Sequence, residues 1–345
     1  MKAKPNHFLF PMTTCLHLQI KQLYSKKYKN TTTTCTITLS KNNFFKLNLS
    51  KAMKPVFKLP HLQKEFEANG YVLLDALGTE EINTLKYNYE CLPEVNNEGF
   101  FASLYSDSGS YKQKSFEAIS AIANKIAEKY LDNYISITAT YVTKKRSENS
   151  YMPPHQDWTI VDETQYASVN IWFPLVPVNK ENGALYVLKG SHKLPSVIRG
   201  TLIPSAFNHV TNMTFDHLTY LPMKPGEIII FDHRLIHASP PNQSDAIRLA
   251  ITALTVPKGI QLLHYFNNPE TQQTEKYEIT PDFFNQYTYG KYTIPKSAKY
   301  LETIQLDNPN FTNVDTVPLL EALIVADNRE RKSFIQKIKN LLTFK

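Results

Sequence analysis

The chain has no run of apolar residues approaching the roughly 20 that a membrane-spanning helix needs, so a helical membrane protein is not expected. Cysteine is scarce. The three present, Cys15, Cys35 and Cys91, stand far apart, which supports neither a disulfide framework nor a zinc knuckle. Residues 1–53 carry nine lysines but no arginine, aspartate or glutamate. The formal charge of +7 therefore leaves −2 for the rest of the 345 residues, which removes the electrostatic case for a nucleic-acid partner. The front segment lacks the continuous apolar stretch of a secretory signal, and its want of arginine counts against a mitochondrial transit peptide. It reads as a disordered extension, or as sequence upstream of a start at Met53. A single domain over residues 54–345, placed in the cytoplasm, is expected to follow.

What is present begins with helical spacing. "FEANGYVLLDALGTEEINTL" reads as a helix stopped at Gly70, a short strand over 71–74, and a second helix capped near Thr79 with Glu80 and Glu81 in its first turn. Residues 115–134 repeat apolar positions at three and four and predict a long helix. From residue 135 the period becomes two. The segments 135–143, 167–173, 184–188, 227–232, 235–239 and 247–256 alternate or run apolar between turn clusters such as "KENG" and "PPNQSD". Short strands at this rhythm predict a mainly β fold with flanking helices, a double-stranded β-helix of jelly-roll, cupin-like type with its core near 135–257. Beyond residue 260 the pattern weakens into Tyr- and Asn-rich loops, and helical spacing returns over about 315–343.

Within the β region, "PPHQDW" places His155 and Asp157 one residue apart, so an extended backbone points both side chains to one face. His237 in "FDHRLIHAS" supplies a third ligand. Two histidines and one carboxylate are the facial set of non-haem Fe(II) oxygenases, leaving positions open for a bidentate 2-oxo acid and dioxygen. A co-substrate such as 2-oxoglutarate needs its far carboxylate neutralised inside the pocket. Arg248 can grip it with a planar fork, and the hydroxyl of Ser239, on the strand face of His237, can donate to it. Trp172 and Asn170 share one face of their strand with Ser168. His233 lies four residues before His237 but lacks the serine and arginine spacing, and His192, His209, His217 and His264 have no carboxylate at ligand spacing. Alone, H-x-D is a weak signal; the order of the five residues within strand-patterned sequence carries the inference.

The segments "PPHQDW", "NIWFPLVPVNKENGALYVLKGSHK", "KPGEIIIFDHRLIHASPPNQSDAIRLAIT" and "FEANGYVLLDALGTEEINTL" resemble the phytanoyl-CoA dioxygenase family of Fe(II)- and 2-oxoglutarate-dependent oxygenases over roughly residues 60–257. The resemblance implies Fe(II) on His155, Asp157 and His237, and 2-oxoglutarate on Ser239 and Arg248. Trp172 would face the site, with Asn170 on the same strand face, and Asn242 would match a family asparagine. One departure is local, Lys189 standing where the family places proline before Gly-Ser-His. Because Asp157 is retained, the resemblance favours hydroxylation over halogenation. The expected reaction joins a small-molecule or carrier-linked substrate to dioxygen, with release of succinate and carbon dioxide. A cupin-like metalloenzyme that does not use 2-oxoglutarate and a non-catalytic binding or sensing protein on the same fold are the alternatives. Substrate choice is assigned to segments 95–114, 144–152, 195–216 and 258–295. Lys144, Lys145, Arg146 and Arg199 read as solvated charge, with reception of an acidic or carrier-linked substrate as the other reading.

Overall fold

Period-two patterning after residue 135 builds antiparallel strands, and the computed structural model describes them within residues 53–95, 97–194, 196–207 and 215–308, together with the backbone of two strands before residue 50. In chain order the strands are β1 (Cys35–Leu39), β2 (Phe45–Leu49), β3 (Tyr71–Asp75), β4 (Phe100–Ala102), β5 (Tyr134–Lys144), β6 (Met152–His155), β7 (Val169–Pro174), β8 (Leu185–Val187), β9 (Thr219–Leu221), β10 (Glu227–Asp232), β11 (His237–Ser239), β12 (Arg248–Pro257), β13 (Leu262–Asn268), β14 (Gln273–Ile279) and β15 (Lys299–Ile304). The helices are α1 (Pro60–Asn69), α2 (Thr79–Glu90), α3 (Gly109–Tyr130) and the single turn α4 (Phe283–Gln286). The region expected to extend as helices over 315–343 lies outside the described residues. In the front segment, expected to be disordered, β1 and β2 pair antiparallel.

Six strands form one sheet in the order β3-β10-β7-β12-β5-β4, and four form a second in the order β6-β11-β8-β9. Their facing sides share a core of Trp172, Ile229, Phe231 and Ala250 from the large sheet with Leu185, Val187 and Leu221 from the small one. This is the expected jelly roll. The opposite face of the large sheet, with Ile171, Phe173, Ile228 and Ile230, packs on Ile119, Ala123 and Ala127 of α3 and on Leu62 and Phe66 of α1. The unbroken "EIIIF" of β10 is thereby explained: alternate residues serve two cores, so both faces must be apolar. Burying each such aliphatic chain contributes about 1.5–3 kcal/mol.

The helix ends follow local chemistry. Pro60 opens α1, and Gly70 closes it at φ +83°, a left-handed conformation that glycine adopts without a Cβ penalty. Any side chain there would collide with His192 and Leu235. At α2, Glu81 accepts a hydrogen bond from the Gly78 amide at 2.8 Å, so the cap sits one residue before the expected Thr79. Helix α3 starts at residue 109 rather than 115 because Ser108 caps it, accepting from the Tyr111 amide, and it stops at Tyr130 rather than 134, where β5 begins.

The loops expected beyond residue 260 are instead a third antiparallel sheet, β13-β14-β15. Its apolar residues Leu262 and Ile279, with Phe283, Phe284 and Tyr287 around α4, pack against Ile160 and Leu254 at one end of the jelly roll. The mostly polar run "TEKYE" of β14 gave these segments a loop-like composition, although Thr274 is buried and the next four residues are only partly accessible. No helix among the described residues is long and apolar enough to cross a membrane.

Candidate active site

The small sheet brings the two distant histidines together by strand register. His155, at the end of β6, is the cross-strand partner of His237, which opens β11. Their ring centroids lie 4.2 Å apart. Asp157 sits just past β6, its amide fixed by the carbonyl of His233 at 2.9 Å. The carboxylate reaches both rings, with Oδ1 at 4.0 Å from His155 Nε2 and Oδ2 at 3.8 Å from His237 Nε2. One ligand atom from each of the three residues falls within 4.8 Å of the others, and among the described residues no other such group of metal-binding side chains occurs.

Neighbouring groups set the direction of each donor. The Nδ1 of His155 lies 2.7 Å from the Pro153 carbonyl and that of His237 lies 3.0 Å from the Leu235 carbonyl. Both contacts require Nδ1–H, so both Nε2 lone pairs are left toward Asp157. Asn170 donates its amide to Asp157 Oδ2 at 2.7 Å and so orients the carboxylate. Burial, joined by the neighbouring His237 ring, pushes the His155 imidazole down to about 4, which keeps it a neutral ligand. Burial alone would raise Asp157, but the His237, His233 and His155 rings and the Arg199 guanidinium outweigh it and hold the carboxyl below its ordinary range.

The same cavity, 440 Å³ in volume, continues past Trp172 to Arg248. The guanidinium carbon stands 5.8 Å from the centre of the Trp172 ring. Its Nε and Nη1 are buried and hydrogen-bond to nothing. Burial lowers Arg248 to about 9, a sign of a cation held without a counter-charge. The register places Lys144 directly opposite Arg248 on β5. Lys144 is fully buried and donates to the Ser239 hydroxyl at 2.6 Å, to the Ser239 carbonyl at 3.0 Å and to the Pro240 carbonyl at 2.7 Å. Ser239 in turn donates its hydroxyl to the Gly183 carbonyl at 2.8 Å. Gly183 has φ +83°, and a Cβ there would meet the Pro240 carbonyl oxygen at 2.7 Å and the Lys144 stem at 3.0 Å. Asn242 holds the turn between β11 and β12, donating to the carbonyls of Lys144 and Ala246.

All seven residues singled out for the site, His155, Asp157, Asn170, Trp172, His237, Ser239 and Arg248, line this cavity. His233 lines it too, with Nδ1 at 3.1 Å from the Trp158 carbonyl, but stands outside the three-residue cluster. His192 packs beside Gly70, His264 is buried against Thr201, and His209 lies outside the described residues. The reading of Lys144 and Arg199 as solvated charge fails. Lys144 belongs to the cavity floor, and Arg199 is buried in an ion pair with Glu163 while donating to the Asp157 carbonyl. Strand parity carried the missing signal for Lys144, which continues the inward face of Thr138, Thr140 and Val142. Trp158, which closes "PPHQDW" but was given no role, also lines the cavity, as do Tyr105, Phe284 and Tyr289, which had no motif to mark them.

The family model described as phytanoyl-CoA dioxygenase matches residues 66–250. Among curated proteins, the chain is 23% identical to phytanoyl-CoA dioxygenase 1 of Oryza sativa subsp. japonica, over 54% of this chain and 85% of that protein. It is 28% identical to the phytanoyl-CoA dioxygenase domain-containing protein 1 homolog of Dictyostelium discoideum, over 49% of this chain and 60% of that one. Among solved structures it is similar to HygX from Streptomyces hygroscopicus with nickel, 2-oxoglutarate and hygromycin B bound, at 12% identity and a TM-score of 0.44 over 58% of this chain and 88% of that one. It is also similar to the epimerase SnoN in complex with Fe3+, alpha ketoglutarate and nogalamycin RO, at 18% identity and a TM-score of 0.44 over 70% and 94%. The family match runs from the last turns of α1 into β12 and takes in every residue of the cluster and the buried arginine, so this chain belongs to the phytanoyl-CoA dioxygenase family.

Proposed function

We propose that this protein is an Fe(II)- and 2-oxoglutarate-dependent dioxygenase that hydroxylates a C–H bond of a small molecule. The observation that carries the reading is the pairing of two features in one cavity. Two imidazoles and one carboxylate converge on one point, and a buried arginine and a buried lysine, neither with a carboxylate partner among the described residues, line the same inner part of the cavity. The first is a donor set suited to Fe(II) with coordination positions left open. The second is matched by the far carboxylate of a 2-oxo acid, to which the guanidinium of Arg248, with its Nε and Nη1 unpartnered, would donate.

His155, Asp157 and His237 would hold the metal, with Asn170 keeping the carboxylate turned toward it. Arg248 would anchor the co-substrate against Trp172, and Lys144 would hold Ser239 in place beneath the same carboxylate. When bound, iron with 2-oxoglutarate and dioxygen supplies the oxidising chemistry, so that one oxygen atom enters the substrate C–H bond and the other leaves in succinate as carbon dioxide is released. The apolar lining keeps bulk water from competing.

Anaerobic titration of the full chain with Fe(II) and then 2-oxoglutarate tests the reading through the visible charge-transfer band of a chelated oxo acid. The band is expected in the wild type, abolished in His237→Ala and sharply weakened in Arg248→Ala. Iron binding without the band would sink the 2-oxoglutarate reading in favour of a metalloenzyme acting directly on its substrate. Failure to bind iron would leave the cluster as a polar network only.

A further inference from the structure

Beyond the metal cluster the cavity changes character. Trp158, the residue after Asp157, stacks on Tyr289 with ring centres 5.4 Å apart and planes 13° apart. Tyr289 meets Tyr105 at 4.5 Å, and Tyr105 meets Phe100 at 5.9 Å. These four rings make one wall that runs outward to Tyr105, which is 40% exposed. Ile160, Leu254 and Phe284 line the cavity as well. The only Asp, Glu, Lys or Arg side chains that line it, among the described residues, are Asp157, Lys144 and Arg248, and all three belong to the inner end. Three arginines close to the site in sequence are engaged elsewhere: Arg199 with Glu163, Arg234 with Asp232, and Arg146 with Asp245.

An aromatic slot of this kind discriminates on charge. An ionised group entering it would lose its hydration and find no partner, whereas a flat ring gains contact with the faces and edges of the wall. The hydroxyls of Tyr105 and Tyr289 supply the polarity that remains. Burial raises both phenols, and the negative charge of Asp157 adds to it, so each keeps its proton and can donate to a carbonyl or hydroxyl oxygen.

We propose that the outer half of the cavity receives an uncharged, flat ring compound, its neutral oxygen substituent facing Tyr105 and Tyr289, and not an acyl chain on a phosphorylated carrier. This substrate class rests on the inner half holding the metal and co-substrate as proposed above.

Both tryptophans of the chain, Trp158 and Trp172, line the cavity, so energy transfer from tryptophan reports a probe bound there. The matched probes are N-phenyl-1-naphthylamine, which is neutral, and 1-anilinonaphthalene-8-sulfonate, which adds one negative charge to the same skeleton. They are compared on the metal-free full chain in wild type and in Arg248→Met, the latter removing the inner cation that a sulfonate could reach. In Arg248→Met the neutral probe is expected to bind at least about tenfold more tightly than the sulfonate. Its affinity should match that in wild type, and millimolar coenzyme A should displace none of it. Tyr105→Glu, at a half-exposed position and with an unchanged melting temperature as the control for folding, should weaken the neutral probe by about tenfold or more. Equal or tighter binding of the sulfonate in Arg248→Met, displacement by coenzyme A, or indifference to Tyr105→Glu overturns the proposal. Since neither metal nor 2-oxoglutarate is added, a failure here is distinct from absence of the charge-transfer band in the Fe(II) titration.

Discussion

Lys144 sets up a quantitative dependence of co-substrate affinity on pH. Burial, with the neighbouring Arg248 charge acting in the same direction, lowers its ammonium from 10.5 to about 6. Above that pH the lysine is largely neutral, and an arriving carboxylate restores its charge by drawing in a proton. The bound form then holds one proton more than the free form, so affinity must fall as pH rises from about 6 toward the value of Lys144 in the complex. Well above pH 6 the slope approaches tenfold per unit, so affinity at pH 8 should be about 50-fold below that at pH 6. Both carboxyls of 2-oxoglutarate are ionised through this window and do not contribute. Calorimetric titration of the Zn(II)-loaded protein with 2-oxoglutarate at pH 8, in two buffers of different ionisation enthalpy, counts the proton. Uptake of about one proton is expected in wild type and none in Lys144→Met, whose weaker binding should be flat with pH. Absence of uptake in wild type, or the same slope in the variant, would refute the assignment of Lys144 to the anion site.

Three further outcomes follow from particular contacts. Asn170→Ala frees Asp157 Oδ2 and should weaken metal affinity by about 10- to 100-fold, measured by chelator competition, with little change in melting temperature. Burial lowers His264 from 6.5 to about 3, so below pH 6.5 the unfolded chain binds the extra proton and stability falls as pH drops, by about 1.4 kcal/mol per unit from this group. Urea midpoints at pH 7 and pH 5 should converge in His264→Phe relative to wild type. Ile119→Ala, at a fully buried position where α3 meets the large sheet, should cost about 2–5 kcal/mol in urea denaturation without altering metal affinity.

The jelly roll and the three-residue cluster were legible because they rest on local rules. Strand alternation and the H-x-D spacing survive in a single sequence, and register then joins His155 to His237. The cavity floor was harder to see. A strand ended at residue 143 hides Lys144, although one more step on the inward face places it opposite Arg248. Ser239 lines the cavity as expected of it, and its hydroxyl accepts from Lys144 and donates to the Gly183 carbonyl, tertiary contacts that no spacing encodes. Asn170, expected at the co-substrate, touches the carboxylate of Asp157. The third sheet was read as loops because "QTEKYEI" and "KYLETI" are mostly polar, so their apolar content is too low to stand out.

The buried arginine reaches beyond ligand recognition. A guanidinium folded into the interior with two unpartnered nitrogens opposes the native state until a molecule carrying a carboxylate reaches it. Such a molecule acts as part of the folding equilibrium, adding about 2.7 kcal/mol when present at 100 times its dissociation constant. The lifetime and abundance of this chain in a cell would then rise and fall with the supply of its own co-substrate, making the protein a reader of central carbon metabolism through its survival as well as through its turnover.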